Sequence, residues 1–120
     1  MKTFAFKIDE TEYELRLKSS DAIKIESLYK VKLLDYIQDY SITTLVTLLR
    51  YMLKGGMNKE VTEKEAYEFY DKLVDNNYAI ETILEEIILP ACEASGLLTK
   101  SDLETVKTKK EQARVKATQM

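Results

Sequence analysis

Residues 42–53 read ITTLVTLLRYML, a run of twelve with a single charge, Arg50. Ile42, Leu45, Val46, Leu49, Met52 and Leu53 recur at the i, i+3, i+4, i+7 spacing that lines one face of an α-helix. Leu48 and Tyr51 lie off that stripe and widen it. Ser41 stands where an N-cap side chain is needed, and Gly55 and Gly56 predict the helix stop. A helix this apolar is either central to its own domain or keeps a face for another chain. On sequence both readings stay open, and the flanking segments decide how much cover is available.

Upstream, Phe4, Phe6 and Ile8 alternate with polar or small residues, and so do Tyr13, Leu15 and Leu17. Period two is the pattern of a strand with one dry face. The polar DETE at 9–12 reads as the turn of a hairpin spanning 3–18. A lone hairpin is marginal in water, so helices are expected to cover it. Ser19 and Ser20 offer an N-cap for the first of them, with Ala22, Ile25, Leu28 and Tyr29 on one side. VKLLDYIQDY, residues 31–40, predicts a short second helix.

Downstream, Thr62 and Glu65 have the spacing of a capping box, and Ala66, Phe69, Tyr70 and Leu73 line the helix it opens. Asp75, Asn76 and Asn77 end it. Ile80, Ile83, Leu84, Ile87, Ile88 and Ala91 form the next stripe, closed by Gly96. Pro90 lies inside that stripe and predicts a kink or a restart, because it lacks a backbone donor. The fold expected is mostly α with a small N-terminal β-hairpin: about five helices in one domain over residues 1–98. Residues 99–120 read as a charged tail, partly helical or disordered. Six Lys or Arg against three Asp or Glu give residues 100–120 a charge of +3, leaving −6 for residues 1–99. The large apolar residues of the tail are Leu103, Val106, Val115 and Met120, a stripe too thin to predict firm docking.

Composition narrows function. The 120 residues suit one domain, with 45% hydrophobic and 32% charged residues, one Pro and three Gly. A net charge of −3 gives no pull toward nucleic acid, and no stretch has the length and apolarity of a membrane span. The lone Cys92 suits a reducing compartment, so a cytoplasmic location is expected. There is no histidine, which removes the commonest general base and metal ligand. Cys92, beside Leu89, Pro90 and Ala91, reads as a buried inert thiol. Glu81 and Glu85, with Glu86 beside them, read as a solvated acidic face; the helical di-iron alternative needs a Glu-x-x-His motif. KGG at 54–56 lacks the spacing of a phosphate loop. No enzyme, cofactor or metal site is therefore expected. The basic stretch 107–116 reads as a soluble end, since no aromatic accompanies it.

What remains is apolar helix surface. The candidate partner-binding residues are Leu45, Leu48, Leu49, Tyr51, Met52, Tyr67, Ile80, Ile83 and Ile87. Spacing alone does not separate contact from core within that set. Leu48, off the main stripe, is expected at the surface.

The order of elements carries a resemblance. EYELRL (12–17), IESLYK (25–30), LLDYI (33–37), LVTLLRYML (45–53), VTEKEAYEFYDKLVD (61–75) and ILEEIILPACEASGLL (83–98) follow one another over residues 3–98. In pattern the chain resembles the small tail assembly chaperones of long-tailed phages and prophages of Gram-positive bacteria. Those proteins often have Gly in the stretch matching 28–34, where this chain has Lys30 and Val31. The resemblance implies a non-enzymatic chaperone in the host cytoplasm, absent from the finished virion. It implies binding to the long helical tape measure protein until the tail tube polymerises, with the tail tube protein as a further partner and with self-association along the client. A helical adaptor or regulatory oligomerisation domain is the alternative reading.

Overall fold

The computed structural model describes residues 2–108. It opens with strands β1 (Phe4–Ile8) and β2 (Thr11–Leu15), antiparallel, in the register Phe4↔Leu15, Phe6↔Tyr13, Ile8↔Thr11. The turn is shorter than the polar run suggested. Only Asp9 and Glu10 form it, both in the left-handed region at φ 50° and 68°, and Thr11 and Glu12 belong to β2. Two left-handed residues make the type I′ turn that matches strand twist. Because Ile8 and Thr11 flank this two-residue loop, the ladder bonds fall at Ile8/Thr11, Phe6/Tyr13 and Phe4/Leu15. The amides of Ala5, Lys7, Glu12 and Glu14 therefore point away from the hairpin. On its dry face, Phe6 stacks on Tyr13 at 5.8 Å and Tyr13 meets Phe69 edge-on at 4.8 Å.

Helices α1 (Ser19–Tyr29), α2 (Leu33–Gln38), α3 (Ile42–Met57) and α4 (Glu63–Asp75) follow. The serines do not cap α1: Lys18 is its N-cap, without a side-chain bond, and Ser19 is already helical. Ser41 does cap α3, its hydroxyl accepting from the Thr44 amide at 3.2 Å. Thr62 and Glu65 complete the capping box in both directions, at 3.1 Å each way. The hydrogen bond from the Thr62 backbone holds the Glu65 carboxyl below its usual range. Asn76 closes α4 and Asn77, at φ 70°, turns the chain.

Gly55 and Gly56 do not stop α3. They lie inside it, and Asn58, at φ 53°, is the left-handed residue beyond its end. The glycines serve a different need, which is closeness. A Cβ on Gly55 would collide with the Arg16 carbonyl oxygen, and one on Gly56 with the Glu14 carbonyl oxygen. Without side chains there, the helix end lies directly on the outer edge of β2. The Arg16 amide donates to the Met52 carbonyl at 3.0 Å, and the Glu14 amide faces Met57 Sδ at 3.3 Å. A helix thereby covers the edge that β2 would otherwise expose.

Pro90 is accommodated by a local change of helix type. α5 (Ile80–Ile83) passes into a π-helical turn (Leu84–Ile88) and then into α6 (Leu89–Ala94). The Leu89 amide donates to the Leu84 carbonyl, five residues back. That widening makes room for the pyrrolidine ring, and Pro90 falls in the first turn of α6, where a missing donor costs little. Gly96, at φ 80°, closes α6 as expected. Ser95 ties this element to the hairpin: its hydroxyl accepts from the Leu17 amide at 2.9 Å and donates to the Ala91 carbonyl at 2.7 Å.

The result is a mostly helical α+β fold with the hairpin at its N-terminus. One core gathers Leu15 and Leu17 from the hairpin side, Leu45, Leu48, Leu49 and Met52 from α3, Leu73 from α4 and Ile83, Leu84, Ile87, Ile88 and Leu89 around the π turn. The core extends further than the 1–98 domain expected. Residues 100–108 are helical (α7), and Leu103 and Val106 are buried. The tail's thin stripe docks through these two residues, three apart, so one helical turn suffices. Thr99 and Asp102 cap the start: the Asp102 carboxylate accepts from the Thr99 amide at 2.9 Å, and the Thr99 hydroxyl accepts from the Asp102 amide at 3.1 Å. The remainder of the tail, with Val115 and Met120, lies outside the described residues. Among those described, no helix is long and apolar enough to cross a membrane.

Candidate functional site: a groove between α1, α3 and α4

The apolar residues of α3 divide differently from their spacing. Leu45, Leu48, Leu49 and Met52 are all fully buried. Leu48 is thus core, not surface, because the β2 edge, α4 and the π turn approach α3 from more than one side. Ile83 and Ile87 are core as well. These six of the candidate contact residues have no surface to offer. Ile80 is half-buried against the core. Tyr51 is half-buried and Tyr67 is 54% exposed, and these two remain available.

Conversely, two residues of the expected core stripe come out. Ile42 is 57% exposed and Val46 is half-buried. They sit one helical turn apart, with Thr43, Thr47, Arg50 and Tyr51 on the same outward side of α3. The last turn of α1 faces them. Ala22 and Ile25 are buried as the stripe predicts, but Leu28 is 66% exposed and Tyr29 is also exposed. From the opposite side α4 contributes Glu63, Ala66, Tyr67, Tyr70 and Asp71. Together the three helices enclose an open groove of about 650 Å³. Its volume persists because positions 43, 47 and 66 carry only threonine or alanine.

The walls are held firmly. Arg50 Nε donates to the Val61 carbonyl at 2.8 Å, and its guanidinium lies 3.8 Å from the Glu63 carboxylate, so the start of α4 is fixed to α3. Tyr29 stacks on Tyr36 with centroids 5.0 Å apart. Burial raises the Tyr36 hydroxyl above its ordinary pKa, partly offset by a hydrogen bond to Thr47, and burial raises that of Tyr70. Both phenols stay neutral donors at physiological pH. Lys24 reaches to 6.0 Å from the Tyr51 ring. The groove thus combines an aromatic and aliphatic lining with a sparse charged rim of Arg50, Glu63 and Asp71.

The groove's lining holds no thiol and no imidazole. Cys92 lies elsewhere, in the core, and burial pushes its thiol up to about 12. Glu81 and Glu86 are exposed, and among the described residues no three His, Cys, Asp or Glu converge closely enough to hold a metal ion. What the arrangement can do is receive a partner segment: it is concave, and its lining is shared about equally between apolar and polar surface. Sequence reasoning missed Leu28, Ile42 and Val46 because each sits on a stripe that looks core-bound. The available signal was that the stripe of α1 extends to its last turn with no later element obliged to cover it. Compared with known protein families, curated proteins and solved structures, the chain finds no match.

Proposed function

We propose that this chain is a phage tail assembly chaperone that lays apolar stripes of the helical tape measure protein into the groove between α1, α3 and α4. The reading rests on one observation: Leu28, Ile42 and Tyr67, each more than half exposed, converge on one concave surface. Three large apolar side chains left in water at one place mark an interaction site rather than scattered surface. The resemblance in sequence pattern to the tail assembly chaperones over residues 3–98 supports the same reading. An unassembled tape measure exposes helical stripes that aggregate, and covering them keeps it soluble in the host cytoplasm until the tail tube protein replaces the chaperone.

The energetics suit a removable cover. Fully burying a large apolar side chain stabilises by about 1.5–3 kcal/mol. Three that are already partly covered contribute roughly 3–5 kcal/mol together, close to the lower estimates of the cost of association. One groove therefore binds weakly, and many copies along one long client supply the avidity. The acidic body, −6 over residues 1–99, keeps the loaded complex dissolved.

The test is co-expression with a tape measure fragment that is insoluble alone. The chain is expected to bring the fragment into the soluble fraction, and Tyr67→Asp and Ile42→Asp are expected to abolish this while melting within a few degrees of the parent. Folded variants that still protect the fragment overturn the groove assignment. A parent chain that never protects it overturns the function.

A further inference from the structure

We propose that β1 is a self-pairing edge: two copies join antiparallel through Phe4–Ile8 into a four-stranded sheet, with Phe6 opposite Phe6 of the second copy. This inference stands apart from the chaperone reading, and neither depends on the other. It starts from an asymmetry in the hairpin. Both strands point amides and carbonyls outward, Glu12 and Glu14 from β2 and Ala5 and Lys7 from β1. Around β2, the glycine end of α3 covers Glu14, and the Arg16 amide beyond the strand is bonded to it. The outward backbone groups of Ala5 and Lys7 have no backbone partner among the described residues. Both residues are exposed. The sequence places no proline or glycine in β1 to blunt this edge. An unpaired edge of this kind is a template for another strand.

The strand's own sequence favours a second copy as that other strand. Two-fold antiparallel pairing about Phe6 sets Ala5 opposite Lys7 and Phe4 opposite Ile8. Its inter-chain hydrogen bonds are those between Ala5 and Lys7, whose groups point outward. Aromatic meets aromatic and large apolar meets large apolar on the dry face, while a small residue meets a long one on the wet face. Lys7, the one charge in the strand, already stands opposite Glu12 on its own β2 and meets alanine, not another lysine, across the new seam. The Phe4–Phe6 stack, at 5.9 Å, then continues into its copy as a single aromatic row. A hairpin that is marginal with two strands becomes the half of a sheet with four.

The experiment uses the full chain in two measurements. Sedimentation velocity from about 10 µM to about 1 mM follows the mass, because a seam this short is expected to associate weakly. Amide hydrogen exchange by NMR follows Ala5 and Lys7 over the same range. A monomer–dimer equilibrium is expected, with these two amides slowing at least tenfold as dimer accumulates. Ala5→Pro removes an outward donor and spares every bond between β1 and β2; it is expected to stay monomeric with an unchanged circular dichroism spectrum. A chain that remains monomeric throughout overturns the proposal. So does a dimer in which the Ala5 and Lys7 amides exchange as fast as in the monomer, since its interface then lies elsewhere. Should Ala5→Pro fail to fold, the exchange of the parent's amides decides alone.

Discussion

Gly56→Ala separates two meanings of a glycine in a helix. Position 56 lies inside α3, where alanine is normally better than glycine by about 1 kcal/mol. If the glycine merely occupied a helical position with open space beside it, its replacement would raise stability. The structure predicts the opposite sign. A Cβ at 56 falls on the Glu14 carbonyl oxygen and within 2.7 Å of the Leu15 Cα, and both are backbone atoms that no rotamer change can move aside. Helix and strand must separate. Overpacking of this kind costs about 1–3 kcal/mol, and losing the Arg16–Met52 hydrogen bond adds about 1 kcal/mol. After subtracting the helix-propensity gain, the expected loss is about 1–3 kcal/mol, or roughly 4–13 °C in Tm for a domain of this size. Urea unfolding followed by far-ultraviolet circular dichroism reads this directly. Gly96→Ala is the control, because nothing lies within 4 Å of its added Cβ and only its φ of 80° opposes the change. A Gly56→Ala midpoint above that of the parent would refute the idea that α3 and β2 are in backbone contact.

Leu48→Asp is expected to unfold the chain at 25 °C. It exchanges a fully buried leucine for a carboxylate with no partner, a loss of about 5 kcal/mol or more; a folded, soluble variant would return Leu48 to the surface. Glu10→Gly is expected to raise stability by about 1 kcal/mol in a urea titration, since Glu10 sits at φ 68° in a turn that favours Asp-Gly; no gain would mean that the turn is not type I′. Cys92 is expected to resist thiol reagents until the chain unfolds, and stability should fall with rising pH. Its folded pKa of about 12 lies above the ordinary 9.0, so ionisation of the unfolded thiol erodes stability between those two values. Rapid native-state labelling near pH 8 would contradict its burial.

Lys30 shows how a single position joins sequence and fold. It closes α1 at φ 53°, where most side chains are strained. Here the strain is accommodated by nearby bonds: the Lys30 amide donates to the Glu26 carbonyl, and the Glu26 carboxylate accepts from the Leu33 amide at 2.8 Å. One residue thus fixes the step from α1 to α2. That step brings Tyr36 of α2 against Tyr29 at the edge of the groove.

The elements of this protein were legible in its chain because they depend on local physics. Alternation marks β1 and β2, the 3.6-residue period marks the helices, and Ser41, Thr62, Glu65 and Asn77 mark their ends through bonds made within a few residues. What tertiary structure alone decided is which apolar residue faces which way. Ile42 and Leu48 are equally apolar and lie on the same helix, yet one is 57% exposed and the other fully buried, because the neighbours that cover a face come from distant parts of the chain. The same holds for Gly55 and Gly56, whose role depends on a strand forty residues earlier in sequence, as the Glu14–Met57 contact shows with its separation of 43. It holds for Leu103 and Val106, too few to predict docking but enough once a core presents itself. Periodicity fixes an element's faces; only packing says which face is left for a partner.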